Sequence, residues 1–570
     1  MNNNESKYIL KIDSFNKRFL SFSHRIDDTF SSATFRKKRI VIISITLLLY
    51  TTLMSIVSFF HEPWSDESQS WAIAKYASYH DMLFFLGHGE GHPSLWWIYL
   101  SLFAKIGVPY ELGLKMASII LNVIFSLLLL IKVKIPVLIK FSVPFTYFFF
   151  YQYGVISRCY SILILSLVLL AIFWNDRNIK PYKTSFSLIL LSLSSAYGLV
   201  ISFALALLWV YELLKKSFKD CNDKKFFFIH LIKYNKKQIN ALLMLLFSSV
   251  ITVVLLFPTN DPYALVDEKK NTLLFRIFYM LIIEPIDSLF FISEYIDTEL
   301  YSYSPDYYSL IVGSFIAIIF YLTLFFWPKA RNMRRFIILP HIILSIIAAT
   351  TFYWSHHIGI TTSLFLFWYI ICYTKTDTPY VNSNSLFLKK AEIWMDSSEG
   401  QIIQRIYWLI PTFIIIISIK WSIDSSFSDI KYNYSANREI YNTIIDIEGK
   451  NSKILTSDIA SATSYLGDNN NVYKLYVNDH YMSFAVNNLT PSQKDIFLEK
   501  WSLMGWPDFY IDDSSWILGY IKKENPYLES PPEYILLKSV DYGTIFKGEY
   551  CGIDGWTQCN LYIRKELLNN

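Results

Sequence analysis

The sequence predicts an α-helical polytopic membrane protein of about 11–13 spans, followed by a C-terminal soluble α/β extracytoplasmic domain. Three observations predict this. The 570 residues are 53% hydrophobic and only 17% charged, whereas soluble domains carry roughly a quarter charged residues. The apolar residues gather in runs, such as Ile40 to Phe60 and Ala241 to Phe257, long enough to cross a hydrocarbon core of roughly 30 Å. The charge also changes sign along the chain: residues 424–570 hold 20 acids against 13 bases, a net of −7, and the overall +5 leaves +12 for residues 1–423. With 18% aromatics and only 18 Gly, 19 Pro and 5 Cys, the composition excludes a disordered, collagenous or disulfide-scaffold chain. The small positive charge lies in loops between apolar runs, which argues against a nucleic-acid partner.

Residues 1–39 hold nine Lys/Arg and four acids, and Arg36-Lys37-Lys38-Arg39 abuts the first apolar run. By the positive-inside rule this segment is cytoplasmic and the first span stays uncleaved. Candidate spans follow at about 40–60, 93–107, 114–131, 137–152, 156–174, 184–196, 197–214, 239–257, 307–327, 336–353, 357–373 and 407–423. The loop from Lys215 to Gln238 has eight Lys and two Asp and reads cytoplasmic; outer loops are expected at 61–92 and 258–306. His92 and Arg158 both fall outside, which requires an even number of crossings, yet three apolar runs separate them. The segment 137–152, flanked by Pro136 and broken by Pro144, is the best candidate for a half-membrane helix. Residues 40–423 then form the membrane body and 424–570 the outer domain. Strands are expected at Lys453–Asp458, Val472–Val477, Tyr534–Leu537, Thr544–Phe546 and Leu561–Ile563. Cys551 and Cys559 flank a short hairpin, and a disulfide or two free thiols are both compatible with their spacing. No CxxC, HExxH or Walker pattern occurs.

The polar residues at the outer boundary carry the chemistry. Asp66 and Glu67 follow directly on the first span, where Ser65 is placed to cap a helix running to about Tyr79, with Trp71, Ala74, Ala77 and Ser78 facing inward. Acids at a helix start satisfy its dipole; a partly desolvated carboxylate also suits a general base. His88, Glu90 and His92, interleaved with three glycines, suit either a solvated turn before Pro93 or a metal in an extended loop. Arg158 is an ionisable residue at membrane depth, expensive unless it functions or snorkels, and its planar fork suits a lipid-linked phosphate. His356 and His357 stand at another outer boundary.

Three motifs in order, Trp64-Ser-Asp66-Glu67-Ser-Gln-Ser-Trp71, Glu90-Gly-His92-Pro93-Ser-Leu-Trp96-Trp97 and Tyr153-Gly-Val-Ile-Ser-Arg158-Cys-Tyr160-Ser161, resemble the GT-C superfamily of integral-membrane glycosyltransferases. The likeness is to the bacterial branch of protein O-mannosyltransferases, lipid A aminoarabinose transferases and Rgt-type transferases. Tyr353-Trp-Ser-His356-His357-Ile-Gly359 is similar to a later element of that branch. The resemblance covers roughly residues 40–375. It implies transfer of a sugar from a polyprenyl-phosphate donor to a glycan, lipid or protein acceptor on the outer face of the bacterial inner membrane, with inversion. Asp66 would be the general base, Glu67 its assistant or positioner, and His92, Arg158, His356 and His357 the donor-phosphate ligands. His88 and Glu90 would touch substrate or a metal. No cofactor is firmly implied; a divalent metal stays open, because aminoarabinose transferases resemble metal enzymes and O-mannosyltransferases do not. Ser94 stands where a second Pro often occurs, and Ser355 where the later element has Arg. An O-antigen polymerase or ligase, and a lipid or sugar transporter without chemistry, are the competing readings.

Overall fold

A computed structural model describes residues 18, 21–90, 92–221, 227–257, 272–290, 307–327, 330, 333–351, 353, 355–374, 397, 409–447, 452–456, 465, 472–474, 505–512, 532–551 and 558–569. The architecture is helical and polytopic, with a small sheet at its C-terminal end. The principal helices are α1 (Arg36–Phe60), α2 (Ser65–Tyr76), α3 (Leu95–Ala104), α4 (Tyr110–Lys132), α5 (Tyr160–Trp174), α6 (Pro181–Ser192), α7 (Ala196–Asp220), α8 (Lys236–Leu256), α9 (Tyr307–Phe326), α10 (Arg335–Thr350), α11 (Gly359–Thr374), α12 (Leu409–Lys431) and α13 (Asn437–Ile447). Among the described residues, α1, α4, α7, α8 and α12 are long and apolar enough to cross a membrane.

Local sequence sets the boundaries. The β-branched and Leu-rich run of α1 stops just before Pro63, which disfavours helix in the residue before it. Pro109 precedes α4 and Pro136 follows it. Ser195 breaks the apolar stretch 184–214 by capping α7, its side chain accepting from Gly198 N–H at 3.0 Å.

Two of the runs behind the parity conflict have shapes the sequence did not predict. The run at 93–107 makes only the ten-residue α3, about 15 Å long and half a hydrocarbon core. α3 packs beside α2. The segment 137–155 runs alongside α1 from one end to the other, as a short helix, a 3₁₀ turn at Val143–Phe145 and a π-helix at Phe148–Val155. Two contacts fix its direction. Val137 N–H donates to Asp27 Oδ1 at 2.7 Å, at the end where the chain begins. Ser157 N–H donates to Glu67 Oε1 at 2.6 Å, at the opposite end. The π-helix displaces its carbonyls from regular pairing; Ser118 and Asn122 of α4 and Ser161 of α5 donate to Gly154 O and Tyr153 O at 2.6 to 3.0 Å. Such satisfaction is obligatory at membrane depth.

The expected outer loop 258–306 is also revised. Its flanks, 258–271 and 291–306, lie outside the described residues, but 272–290 is a helical segment buried in the body. Its apolar run around Tyr279–Ile283 supplies the buried face. Its acids, Glu284 and Asp287, meet Tyr353 and Lys547.

The helix α12 runs on to Lys431, past the expected domain boundary at 424. Beyond it, β1 (Ile454–Thr456), β2 (Val472–Lys474), β3 (Phe509–Asp512), β4 (Tyr534–Asp541) and β7 (Gln558–Arg564) form a mixed sheet in the order β2-β1-β3-β7-β4. Strand β3 was not expected, and β4 and β7 are longer than expected. Ile440 and Ile444 of α13 are buried in one cluster with Ile454, Phe509, Ile511, Leu561 and Ile563 of the sheet. The hairpin β5 (Thr544–Phe546) and β6 (Glu549–Cys551) leaves this sheet and docks on α12. The side chain of Cys551 lies outside the described residues, and with it the disulfide question. Arg438 ties α13 to the body, donating to Glu111 Oε2 at 2.8 Å and His61 O at 3.2 Å.

Candidate active site

The site assembles where α1, α2, α4 and the π-helix end together. Helix α2 starts at Ser65, one residue earlier than expected, and its first turn is closed by Glu67, not by a Ser65 cap: Trp64 N–H donates to Glu67 Oε2 at 2.9 Å. Trp71, Ala74 and Ala77 are buried as expected. Ser78 is exposed and caps the next short helix through Asp81 N–H. Gly113 lets α2 lie against α4: a Cβ there would stand 2.2 Å from the Trp71 ring.

Glu67 is 1% exposed, and both its oxygens are engaged. Oε1 accepts from Ser157 N–H, and Oε2 accepts from Trp64 N–H and from His61 Nε2 at 3.1 Å. His61 Nδ1 meets Asp429 Oδ2 of α12 at 2.9 Å. Carboxylates only accept, so both ring nitrogens carry protons and His61 is an imidazolium between two acids. Burial opposes that charge, but Asp429 and Glu67 outweigh it and raise the His61 pKa to about 10. This triad fixes the backbone at Ser157 and therefore the start of Arg158.

Arg158 is the hub. Its Nη2 donates to Asp66 Oδ2 at 2.7 Å, and its guanidinium stands 5.3 Å from the Tyr160 ring centre. It lies within electrostatic reach of His92, His356 and His357. The His356 and His357 rings are 4.1 Å apart, and Tyr160 flanks them at 6.1 and 5.8 Å. Asp66, His92, Arg158, His356 and His357, five residues far apart in sequence, are thus gathered at one place. Burial raises the Asp66 pKa above the usual carboxylate range, Arg158 pulling the other way. Burial and Arg158 push His92 down to about 4, so it is neutral at neutral pH. Arg158 Nη1, His92 Nδ1 and His356 Nε2 are buried with no hydrogen-bond partner among the described residues. Nitrogens left so in one place are what an anion would satisfy.

Two tyrosines lock the histidine turn. Tyr153 donates to His356 O at 2.8 Å and Tyr353 to His357 O at 3.1 Å. Gly359 closes it, since a Cβ there would stand 2.4 Å from Phe148 and 2.7 Å from Tyr153 Oη.

His88 is not brought to this site. Its Nδ1 donates to Phe257 O at 2.6 Å, at the end of α8. The Glu90 side chain lies outside the described residues. No group of three or more His, Cys, Asp or Glu side chains in metal-ligand reach occurs among the described residues. Sequence reasoning gave no role to His61, Asp429 or Ser157, and named Tyr160 only as part of the Arg158 motif. The pair Ser118 and Asn122, four apart in an apolar helix, was the available signal for a polar support.

An apolar groove of about 1090 Å³ runs along α1, α12, the segment 137–150 and helix 21–31, from Phe22 and Phe30 at the end away from the site to Val57 and Ile430.

No protein-family model matches the chain, and no curated protein matches it. A solved structure is similar to it: AftD from Mycobacteria, at 11% identity and a TM-score of 0.36, over 94% of this chain and 40% of that one. AftD is an arabinofuranosyltransferase. This chain spans about 40% of that protein's length.

Proposed function

We propose that the chain is a glycosyltransferase of the GT-C kind. It moves a sugar from a polyprenyl-phosphate donor to a cell-envelope glycan, lipid or protein acceptor at the outer face of the bacterial inner membrane. The observation that carries this reading is the Asp66–Arg158 pair with the unbonded nitrogens of Arg158, His92 and His356 around it. As the glycosidic bond to phosphate breaks, negative charge grows on the leaving oxygen. Fixed donors in a buried site stabilise that charge without reorganising. Arg158 spans both halves of the reaction, Nη2 on the base and Nη1 turned to the phosphate. The acceptor hydroxyl passes its proton to Asp66 as its oxygen attacks the anomeric carbon, and a single displacement inverts that centre. Glu67, with both oxygens engaged, positions and does not accept the proton.

The membrane placement follows the same lines. Arg36 to Arg39 and the basic stretch 215–238 favour a cytoplasmic end opposite the site. The cavity beside Val57 and Ile430 is apolar enough for a lipid tail.

The test is incubation of the purified chain with polyprenyl-phosphate sugars, followed by mass analysis of products. A new glycosidic bond with release of polyprenyl phosphate is expected. Passage of lipid or sugar across liposomes without a new bond would overturn the reading in favour of a transporter. Transfer of whole oligosaccharides would favour a polymerase or ligase.

A further inference from the structure

The hairpin β5–β6 carries the one residue other than Gly with positive φ among the described residues. Lys547 has φ +50 and Gly548 φ +94, and Phe546 pairs with Glu549, so the two form a tight two-residue turn. Such turns favour Asn-Gly, and a lysine held in the left-handed region marks a backbone conformation imposed by its surroundings. Those surroundings are the helical body. Gly548 presses so closely on α12 that a Cβ would stand 2.5 Å from Asp424 Cβ, and Ser428 donates to Gly548 O at 3.1 Å. Phe546 meets Tyr147 of the segment 137–155, ring centres 6.0 Å apart.

The Lys547 side chain is buried. Its ammonium stands 4.5 Å from the Trp421 ring centre, and it pairs with Asp287 through the backbone carbonyl and through Oδ1 at 3.2 Å. Asp287 lies three residues from Glu284 on the buried segment, on the same helix face. Glu284 is 0% exposed, and its Oε1 accepts from Tyr353 at 2.9 Å. The same Tyr353 hydroxyl lies 3.1 Å from His357 O, so its one proton is shared between the two acceptors. An unbroken series of contacts therefore runs from the tip of the C-terminal hairpin to the histidine turn beside Arg158.

We propose that Lys547 and Glu284 are positioning residues for the reaction: Lys547 holds the Asp287–Glu284 helix, and Glu284 holds Tyr353, which fixes the His356–His357 turn over Arg158. The C-terminal region is then part of the active site's support. The significance for catalysis rests on the proposed function, but the contacts are testable without any assay of transfer.

The experiment is carbethoxylation of the full chain in detergent by diethyl pyrocarbonate, read by peptide mass spectrometry. His80, largely exposed, is the reference for reagent, and His61, buried between Glu67 and Asp429, reports general unfolding. In the unaltered chain His356 and His357 are expected to react far more slowly than His80. Lys547→Met and Tyr353→Phe are expected to raise modification of both several-fold while His61 stays protected. Lys547→Arg is expected to restore protection. The double variant Lys547→Met/Asp287→Asn, which leaves no unpaired buried charge, is expected to fold and to fall between the two. Unchanged protection of His356 and His357 in Lys547→Met and in the double variant would overturn the proposal. So would a rise of His61 in step with them, which would mean a general loss of structure. Neither outcome depends on whether a sugar is transferred, so failure of the proposed function would show separately.

Discussion

Arg158 Nη2 donates to Asp66 Oδ2 at 2.7 Å while Arg158 Nη1, on the same guanidinium, has no partner among the described residues. In the proposed reaction one planar fork holds the base and faces the leaving group. Arg158→Lys keeps the charge and loses the fork. Its transfer rate is expected to fall by about 10²–10³, the usual loss for one donor to a developing oxyanion. Arg158→Ala also strands Asp66 in a buried place, and thermal unfolding should show a loss of about 3–5 kcal/mol. A variant with full rate would remove Arg158 from the site.

His92 is neutral near pH 7, because burial and Arg158 push its pKa to about 4. In the proposed reaction it would meet the donor phosphate as a hydrogen-bond donor, not as a cation. His92→Gln is expected to retain most activity, and His92→Ala to lose about 10- to 100-fold, the worth of one bond to a charged group. Equal loss in both variants, measured as transfer rate, would mean that the imidazolium is needed.

Burial holds the Asp66 pKa above the ordinary carboxylate range. The base must be ionised to work, so the transfer rate should rise with pH through that raised pKa and then level off. No second limb is expected near 6.5 from His92. A rate-against-pH profile of the purified chain checks both statements.

Stability should depend on pH through His61. Its folded pKa is raised to about 10 from an ordinary 6.5. The imidazolium between Glu67 and Asp429 thus contributes stability that is fully present below about pH 6.5 and lost as pH rises through about 10. The thermal midpoint should fall over that window, and His61→Asn should flatten the fall while lowering stability throughout.

Gly359→Ala forces a methyl to within 2.4 Å of Phe148. Overpacking of this kind typically costs about 1–3 kcal/mol, and here it pushes on the turn that holds His356. Both the thermal midpoint and the transfer rate should fall, whereas Gly107→Ala, which has open space but a φ of +87, should lower the thermal midpoint and leave the rate unchanged.

How much of this was readable beforehand depends on distance along the chain. Hydropathy marked the long helices, because crossing a membrane requires a run of apolar residues. It misread Leu95–Ala104, since a short buried helix is as apolar as a span and only its length separates them. It also missed that 272–290 enters the body, because three bases and nine acids across 258–306 gave the stretch a polar average. Asp66, His92 and Arg158 were legible because charge beside an apolar run is costly and therefore conspicuous. The His61–Asp429 bond joins residues 368 apart and the Lys547–Asp287 pair residues 260 apart. No local pattern encodes such pairs, and each looks like an ordinary surface charge until the fold brings them together.

The central claim is that Asp66 takes the acceptor's proton in a sugar transfer from polyprenyl phosphate. The most direct measurement is single-turnover transfer by Asp66→Asn, with donor binding measured in the same sample. The account predicts that the donor still binds and that transfer is lost; transfer at the rate of the unaltered chain would contradict it.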